Sequence, residues 1–261
     1  SYISGSVLDD KKILDAVENM DVVIHLAAIT SHKEIIDNKF KTLNLNLNGT
    51  VNVLNAFNNS SRAKKFIFSS TGKVYGTTNE NKIEETYGVH PLNILGKSKY
   101  ITERVVDFYS RNDKEYCILR IFQAYGLNQS DNFLIPTILN QLNDISKKNL
   151  EVTLGDIKAK RDYVHIDDVC NAFLKIVEKD DLLNGVETFN ICTGVASSAE
   201  DIIIIIEKLK KIQIKIKVNE SLFRIDERDI EVGSYQKAKE KLGWSPKVTL
   251  YDGLKQIINT L

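Results

Sequence analysis

Four short apolar runs occur along the chain. They are DVVIHLAA at 21–28, KFIFSS at 65–70, YCILRIF at 116–122 and ETFNI at 187–191, and polar residues hardly interrupt them. Runs of this length are typical of strands that are buried on both faces of a parallel sheet. We therefore predict four strands close to these limits, with the first three as neighbours in one sheet.

The segments between the runs have a different pattern. Apolar residues recur every three or four positions within 48–60, 96–111 and 167–179, as they do along one face of a helix. Strands that alternate with helices form βαβ units, whose parallel sheets are covered by helices on both faces. The pattern thus predicts an α/β fold.

Small or polar residues follow three of the predicted strands. They are Ala27 to Thr30, Ser69 to Thr71, and Phe122 with Gln123. Open parallel sheets bind their ligands beyond the carboxyl ends of the strands. These residues are therefore the first candidates for a ligand site.

The later part of the chain is more charged and has shorter mixed elements, which predicts a second, smaller lobe. We expect the sheet domain to comprise 1–122 and 163–192, and the smaller lobe to comprise 123–162 and 193–261. The sequence LGWSP at 242–246 predicts the end of a helix in that lobe, because proline stops its continuation.

Composition narrows the classes of function. The chain has 261 residues, and its 35 basic side chains equal its 35 acidic ones, so its net charge gives no reason to bind nucleic acid or an anionic membrane. No apolar run is long enough to span a bilayer, and we expect a cytoplasmic location. Cys117, Cys170 and Cys192 have no metal-ligand spacing and are expected to be buried small hydrophobes.

Eight segments, in order, resemble the extended short-chain dehydrogenase/reductase family, the NAD-dependent epimerases and dehydratases of nucleotide sugars. They are DVVIHLAA, NLNGTVNVLNA, KFIFSSTGKVYG, PLNILGKSKYITE, ILRIFQAYG, RDYVHIDDV, FNICTG and KAKEKLGWSPKVTLYDGL. The resemblance implies a Rossmann-like sheet, NAD as cofactor (NADP is not excluded), a nucleotide diphosphate sugar as substrate, and no metal. It also implies a homodimer formed by helices 48–58 and 96–111, with Ile101, Val105 and Tyr109 on the exposed side.

The resemblance also assigns roles to single residues. Thr71 would hydrogen-bond the sugar hydroxyl that is oxidised, and Lys99 would bind the nicotinamide ribose and lower the pKa of a catalytic tyrosine. The implied cofactor-binding residues are Leu26, Ala27, Ala28, Asn46, Ser69, Ser70, Lys99 and Phe122. The implied substrate-binding residues are Thr71, Gln123, Arg161 and Arg224. Guanidinium groups suit a diphosphate because they match its oxygens and stay charged, although Arg224 could also be a solvated surface charge.

Leu95 stands where the family has its catalytic tyrosine, four residues before Lys99. Leucine has no ionisable group, and the loss of a positioned base typically lowers the rate by roughly 10²–10⁴-fold. Two functions therefore stay open. One is an NAD(P)-dependent nucleotide-sugar epimerase that is impaired, and the other is a non-catalytic protein that binds a nucleotide sugar or NAD.

Three further positions depart from the family pattern. None of the 13 glycines forms its GxxGxxG turn, so we expect an N-terminal segment to be absent from this chain, or NAD to be held abnormally. Ser6 stands where the family often has an aspartate for the adenine. Gly72 and Lys73 follow Thr71, where dehydratases place acidic residues, so we expect an epimerase or a reductase rather than a 4,6-dehydratase.

Overall fold

The computed structural model describes residues 2–76, 82–142, 150–179, 185–223 and 229–260. The helices are α1 (Asp10–Val17), α2 (His32–Asp37), α3 (Lys39–Leu43), α4 (Gly49–Asn59), α5 (Ile94–Tyr109), α6 (Leu134–Leu142), α7 (Ile166–Glu178), α8 (Ala199–Lys210), α9 (Gln236–Leu242) and α10 (Leu250–Thr260). The strands are β1 (Val22–His25), β2 (Lys65–Thr71), β3 (Glu115–Ile121), β4 (Gln123–Tyr125), β5 (Leu150–Leu154), β6 (Lys160–His165), β7 (Val186–Ile191), β8 (Ala196–Ser197), β9 (Ile214–Val218) and β10 (Ile230–Glu231).

The four apolar runs of the sequence form one parallel sheet in the order β1-β2-β3-β7. The predicted adjacency of the first three strands is confirmed, and each strand lies within a few residues of its predicted limits. All four strands point the same way, so the residues that follow them meet at one edge of the sheet.

Side chains alternate between two cores along each strand, as the pleat of a strand requires. On one face, Phe66 and Phe68 of β2 pack with residues of α4 and α5 such as Phe57 and Val106. On the other face, Ile67 packs against α7, and Trp244 belongs to the same cluster. The predicted α/β fold with helices on both faces of a parallel sheet is therefore confirmed.

The remaining elements build a second core. A small sheet has the order β10-β6-β4, with β8 on β6, and β5 pairs with β9. Apolar residues of α6, α8 and α10 pack together with these strands. Helix α9 ends at Gly243, whose positive φ of 65° suits glycine at a helix end. This confirms the helix end that LGWSP predicts.

Three expectations about side chains were wrong. Cys117 and Cys192 are buried, but Cys170 is exposed, because the buried positions of α7 lie on its other side. Val105 and Tyr109 pack against the core of the sheet, so they are not the exposed side of α5. The exposed apolar residues of that helix are Ile101, at 44% exposure, and Phe108, at 85%.

Within the described residues, no helix combines the length and hydropathy that a transmembrane span needs. No group of histidine, cysteine and acidic side chains in that same part of the chain could hold a metal ion.

Candidate active site

Thr71 ends β2, and a single 3₁₀ turn of Gly72–Val74 follows it. The Thr71 hydroxyl oxygen accepts a hydrogen bond of 3.3 Å from the Lys73 amide. In the described structure the hydroxyl proton has no acceptor of its own. Thr71 is half-buried at the carboxyl edge of the sheet, so its hydroxyl can donate a hydrogen bond to a ligand oxygen.

Lys99 lies on α5 and reaches the same edge. It is 4% exposed, and its Nζ donates to the Ser69 carbonyl oxygen at 2.6 Å and lies 4.7 Å from the centre of the Phe68 ring. Burial lowers the pKa of Lys99 to about 8, although the Glu103 carboxylate partly opposes this. Among the described residues, no carboxylate oxygen lies within ion-pair distance of its Nζ, so the amine is buried with unused hydrogen-bonding capacity.

His25 ends β1 and lies near Lys99. The Thr50 hydroxyl donates to the Asn46 carbonyl oxygen at 2.6 Å, so the His25 Nε2, 2.9 Å away, must be the donor to that hydroxyl. Burial, helped by the charge of Lys99, lowers the pKa of His25 to about 4. His25 is therefore a neutral ring at physiological pH.

Asn46 fixes the loop that follows β1. Its side-chain oxygen accepts from the Ile29 amide at 2.8 Å, and its Nδ2 donates to the Ile29 carbonyl at 3.1 Å. The resemblance implied a residue that lines the cofactor site. The contacts show that Asn46 holds this loop in place, in which Leu26 and Ala27 are exposed and Ala28 is half-buried.

Leu95 lies in the first turn of α5, one turn before Lys99. The Asn93 side chain caps this helix by accepting from the Gly96 amide at 2.9 Å. A Cβ atom on Gly96 would lie 2.5 Å from the Lys73 carbonyl oxygen, so only glycine allows this close approach. The start of α5 thus packs closely on the turn that follows Thr71. Residue 95, which precedes Gly96, therefore lies beside that turn.

A buried ion pair supports Ser70, and the sequence reasoning did not identify it. Arg120 donates to both Glu103 oxygens, from Nε at 3.1 Å and from Nη2 at 2.7 Å, and the Ser70 hydroxyl donates to Glu103 at 2.5 Å. Glu103 is fully buried. Burial alone would lower the pKa of Arg120, but the Glu103 carboxylate outweighs it and raises that pKa. Ser70 therefore faces α5, and its hydroxyl is already engaged.

Phe122 and Gln123 form the junction between the two sheets. Phe122 is 5% exposed, and a Cβ atom on Gly72 would lie 3.0 Å from its ring. Gln123 begins β4 and pairs with Tyr163 of β6. Phe122 thus packs under the Thr71 turn, while Gln123 opens the second sheet.

Three charged side chains meet where that second sheet approaches the turn. Glu231 Oε2 lies 3.6 Å from the Lys73 Nζ and 3.9 Å from the Arg161 Nε, and all three side chains are largely buried. Arg161 also donates to the Lys160 carbonyl at 2.9 Å. No local pattern in the sequence points to Glu231, because strand pairing of β10 with β6 brings it to Arg161. Arg224 lies outside the described residues.

Comparison with known proteins places this arrangement in a family. The family model described as GDP-mannose 4,6 dehydratase matches residues 1–257. A putative UDP-glucose 4-epimerase from Methanocaldococcus jannaschii is 30% identical over 265 residues, which cover 99% of this chain and 83% of that protein. The chain belongs to the extended short-chain dehydrogenase/reductase family of nucleotide-sugar enzymes.

Solved structures of this family agree with the fold. RMD from Pseudomonas aeruginosa complexed with NADPH superposes with a TM-score of 0.89 at 25% identity, over 98% of this chain and 86% of that one. The UDP-glucuronic acid 4-epimerase from Bacillus cereus, in complex with UDP-glucuronic acid and NAD, has a TM-score of 0.88 at 27% identity, over 100% and 82% of the two chains. Relatives of the present chain are named as epimerases, 4,6-dehydratases and reductases.

The residues of this family member fit the nicotinamide end of such a cofactor. The buried Lys99 amine has donors to spare, which a ribose diol would satisfy, and Asn46 fixes the loop that follows β1 at the same edge. An uncompensated buried amine costs free energy unless a ligand or a proton loss relieves it. A polar ligand at this position is the simplest explanation of the arrangement.

Proposed function

We propose that this chain is an NAD(P)-dependent nucleotide-sugar epimerase whose turnover is limited by Leu95. The observation that supports it most is the buried Lys99 amine. It donates to the carbonyl of Ser69 at the carboxyl end of β2, two residues before Thr71. The nucleotide sugar would lie between that strand end and the smaller lobe, made of 123–162 and 193–261. A 4-reductase or a 4,6-dehydratase would use the same site.

In this proposal the Thr71 hydroxyl donates a hydrogen bond to the sugar oxygen that becomes a carbonyl. Lys99 binds the ribose of the cofactor, and the loop held by Asn46, with Leu26, Ala27, Ala28 and Phe122, lines its pocket. A nicotinamide held by these residues would supply the hydride-transfer chemistry at the sugar carbon. Ser69 contributes its backbone carbonyl, and Ser70 fixes Glu103 behind the strand.

Arg161 would bind the diphosphate, with Arg224 and the amide of Gln123 as further ligands of the substrate. The buried cluster of Lys73, Glu231 and Arg161 carries a net charge of +1, which suits an anionic ligand. Glu231 would hold the Arg161 guanidinium while the diphosphate is absent.

Binding tests the first part of the proposal. Calorimetry with NAD, UDP-glucose, UDP-glucuronic acid and GDP-mannose should detect at least one nucleotide sugar. Arg161→Ala should weaken that binding by roughly 1–3 kcal/mol, the scale of charge-assisted hydrogen bonds. Arg62→Ala is the control, because Arg62 is exposed and pairs with Asp21 far from the sheet edge. If no nucleotide sugar binds to the folded protein, the proposal is wrong.

Leu95→Tyr decides between an impaired enzyme and a protein that only binds. A phenol at this position would restore a proton acceptor beside Thr71 and Lys99, and turnover should rise by roughly 10²–10⁴-fold. The assay is cofactor reduction and sugar epimerisation with a sugar that binds. If the sugar binds and Leu95→Tyr remains inactive, the non-catalytic alternative is favoured.

A further inference from the structure

A nucleotide-sugar oxidation needs a group that accepts the hydroxyl proton, and Leu95 cannot do so. Of the described side chains near Thr71, few can take its place. The Tyr75 hydroxyl donates to Asn190 at 2.7 Å, and burial raises the pKa of that phenol above its ordinary value. His25 donates through Nε2 to Thr50, and its lowered pKa makes it a weak acceptor.

Lys99 has the geometry that these groups lack. Its Nζ lies 2.6 Å from the Ser69 carbonyl at the end of β2, and a strand rises roughly 3.3 Å per residue, so Thr71 follows about two rises further along. A sugar hydroxyl that accepts from Thr71 can therefore also lie within hydrogen-bonding reach of the Lys99 amine. We propose that Lys99 itself is the proton acceptor in this chain, in place of the missing tyrosine.

The proposal rests on the proposed function and deepens it. The sugar O–H bond breaks, an N–H bond forms at Nζ, and the C–H bond of the same carbon releases its hydride to the oxidised nicotinamide as the carbonyl forms. On reversal, the Lys99 ammonium returns the proton to the oxygen. Thr71 keeps its own proton and only donates a hydrogen bond.

Burial of the amine favours its neutral form. Phe68 and Ser69 of β2 and the neutral His25 of β1 enclose it, and the nearest carboxylate, Glu103, is already paired with Arg120 and Ser70. The Ser69 carbonyl and the Phe68 ring stabilise the ammonium, but burial outweighs them and lowers the pKa of Lys99 to about 8. Near neutral pH about a tenth of the amine is then free to accept a proton.

The first test needs no turnover. NMR of the protein labelled with [ε-¹³C]lysine, with the Lys99 signal assigned by its absence in Lys99→Arg, should show Lys99 titrating near pH 8. Lys97→Ala gives the matched control, because Lys97 is exposed two residues earlier on the same helix. A Lys99 signal that titrates near the ordinary value of about 10.4 would overturn the proposal.

The second test separates a lysine that accepts the proton from one that only binds the ribose. With a nucleotide sugar that binds, single-turnover oxidation should rise about tenfold per pH unit up to pH 8 and then level off. Lys99→Ala should lose at least a hundredfold, and added methylamine or ethylamine should restore part of it. Rescue that rises with pH through the pKa of each amine supports proton transfer to the free base. Rescue by the ammonium form, or none, overturns it.

Two further variants assign a failure to its cause. If Leu95→Tyr oxidises the sugar but the unmodified chain does not at any pH, Lys99 is not the acceptor and the proposed function stands. Tyr87 is a half-buried tyrosine that packs against the cluster of Val74, Tyr75 and Phe122. If Tyr87→Phe removes the activity of the unmodified chain and Lys99→Ala does not, Tyr87 is the acceptor instead. If no sugar binds, both the function and this inference fail.

Discussion

Of the electrostatic contacts in the sheet domain, the pair of Glu103 and Arg120 should lower the stability most when one partner is replaced. The two side chains share two hydrogen bonds, and their exposures are 0% and 6%. Glu103→Gln keeps the volume and removes only the charge. The Arg120 guanidinium would then be buried without a counter-ion, and its Nη1 already lacks a hydrogen-bond partner among the described residues.

We expect this single substitution to lower the free energy of unfolding by roughly 3–5 kcal/mol, because one charge of a buried pair loses its partner. Removal of both charges in Glu103→Leu with Arg120→Met should cost much less than the sum of the single changes. The side-chain amide that replaces the carboxylate in the single variant would also turn a donor toward the guanidinium, which adds to the cost.

Urea unfolding followed by circular dichroism measures the effect as a shift of the midpoint at unchanged slope. Asp107→Asn is the matched control, since its ion pair with Arg104 on the same helix is exposed and should contribute about 0–1 kcal/mol. If Glu103→Gln costs as little as the control, or if the two single costs simply add, the pair does not carry the coupling that its geometry indicates.

Three other outcomes follow from the structure. Burial lowers the pKa of His25 to about 4, so the unfolded chain takes up the imidazole proton at a higher pH than the folded chain does. The free energy of unfolding should therefore fall by roughly 3 kcal/mol as the pH drops from 6.5 to 4. Urea unfolding of His25→Gln at a series of pH values should lack this part of the pH dependence. The Lys114 Nζ donates to three carbonyls at the end of α4, those of Phe57, Ser60 and Ala63; Lys114→Met should cost roughly 2–4 kcal/mol in the same assay, while Lys64→Met on the surface should not. If the chain is a homodimer through α4 and α5, sedimentation should show that Phe108→Lys, at a largely exposed position, gives monomers; a wild-type monomer at micromolar concentration would contradict the dimer.

The sequence predicted the sheet well because its signal is local. Near-continuous apolar runs have few alternatives to a strand that is covered on both sides, and Phe66, Ile67 and Phe68 fill both cores at once. The same reasoning predicted that the residues after the strands lie at one edge of the sheet, since parallel strands bring their carboxyl ends together.

The polar contacts were not predictable in this way. Lys65 donates to the carbonyls of Ile176 and Lys179, more than 100 residues later in the chain. Glu231 reaches Lys73 only because β10 pairs with β6. Such partners are set by packing of distant elements, and a single sequence carries no periodicity that reports them.

The surroundings of Leu95 show that the start of α5 keeps its shape whatever side chain residue 95 carries. The start of α5 is held by the Asn93 cap and by the contact of Gly96 with the Lys73 carbonyl, and neither depends on the side chain at 95. Lys99 is held by its own bond to Ser69, and Thr71 by the turn that follows it. A leucine therefore disturbs neither the helix nor the strand end. Under the proposed function, what it alters is the proton chemistry. A tyrosine at this position would accept the proton of the sugar hydroxyl, and with leucine there the Lys99 amine is left to accept it.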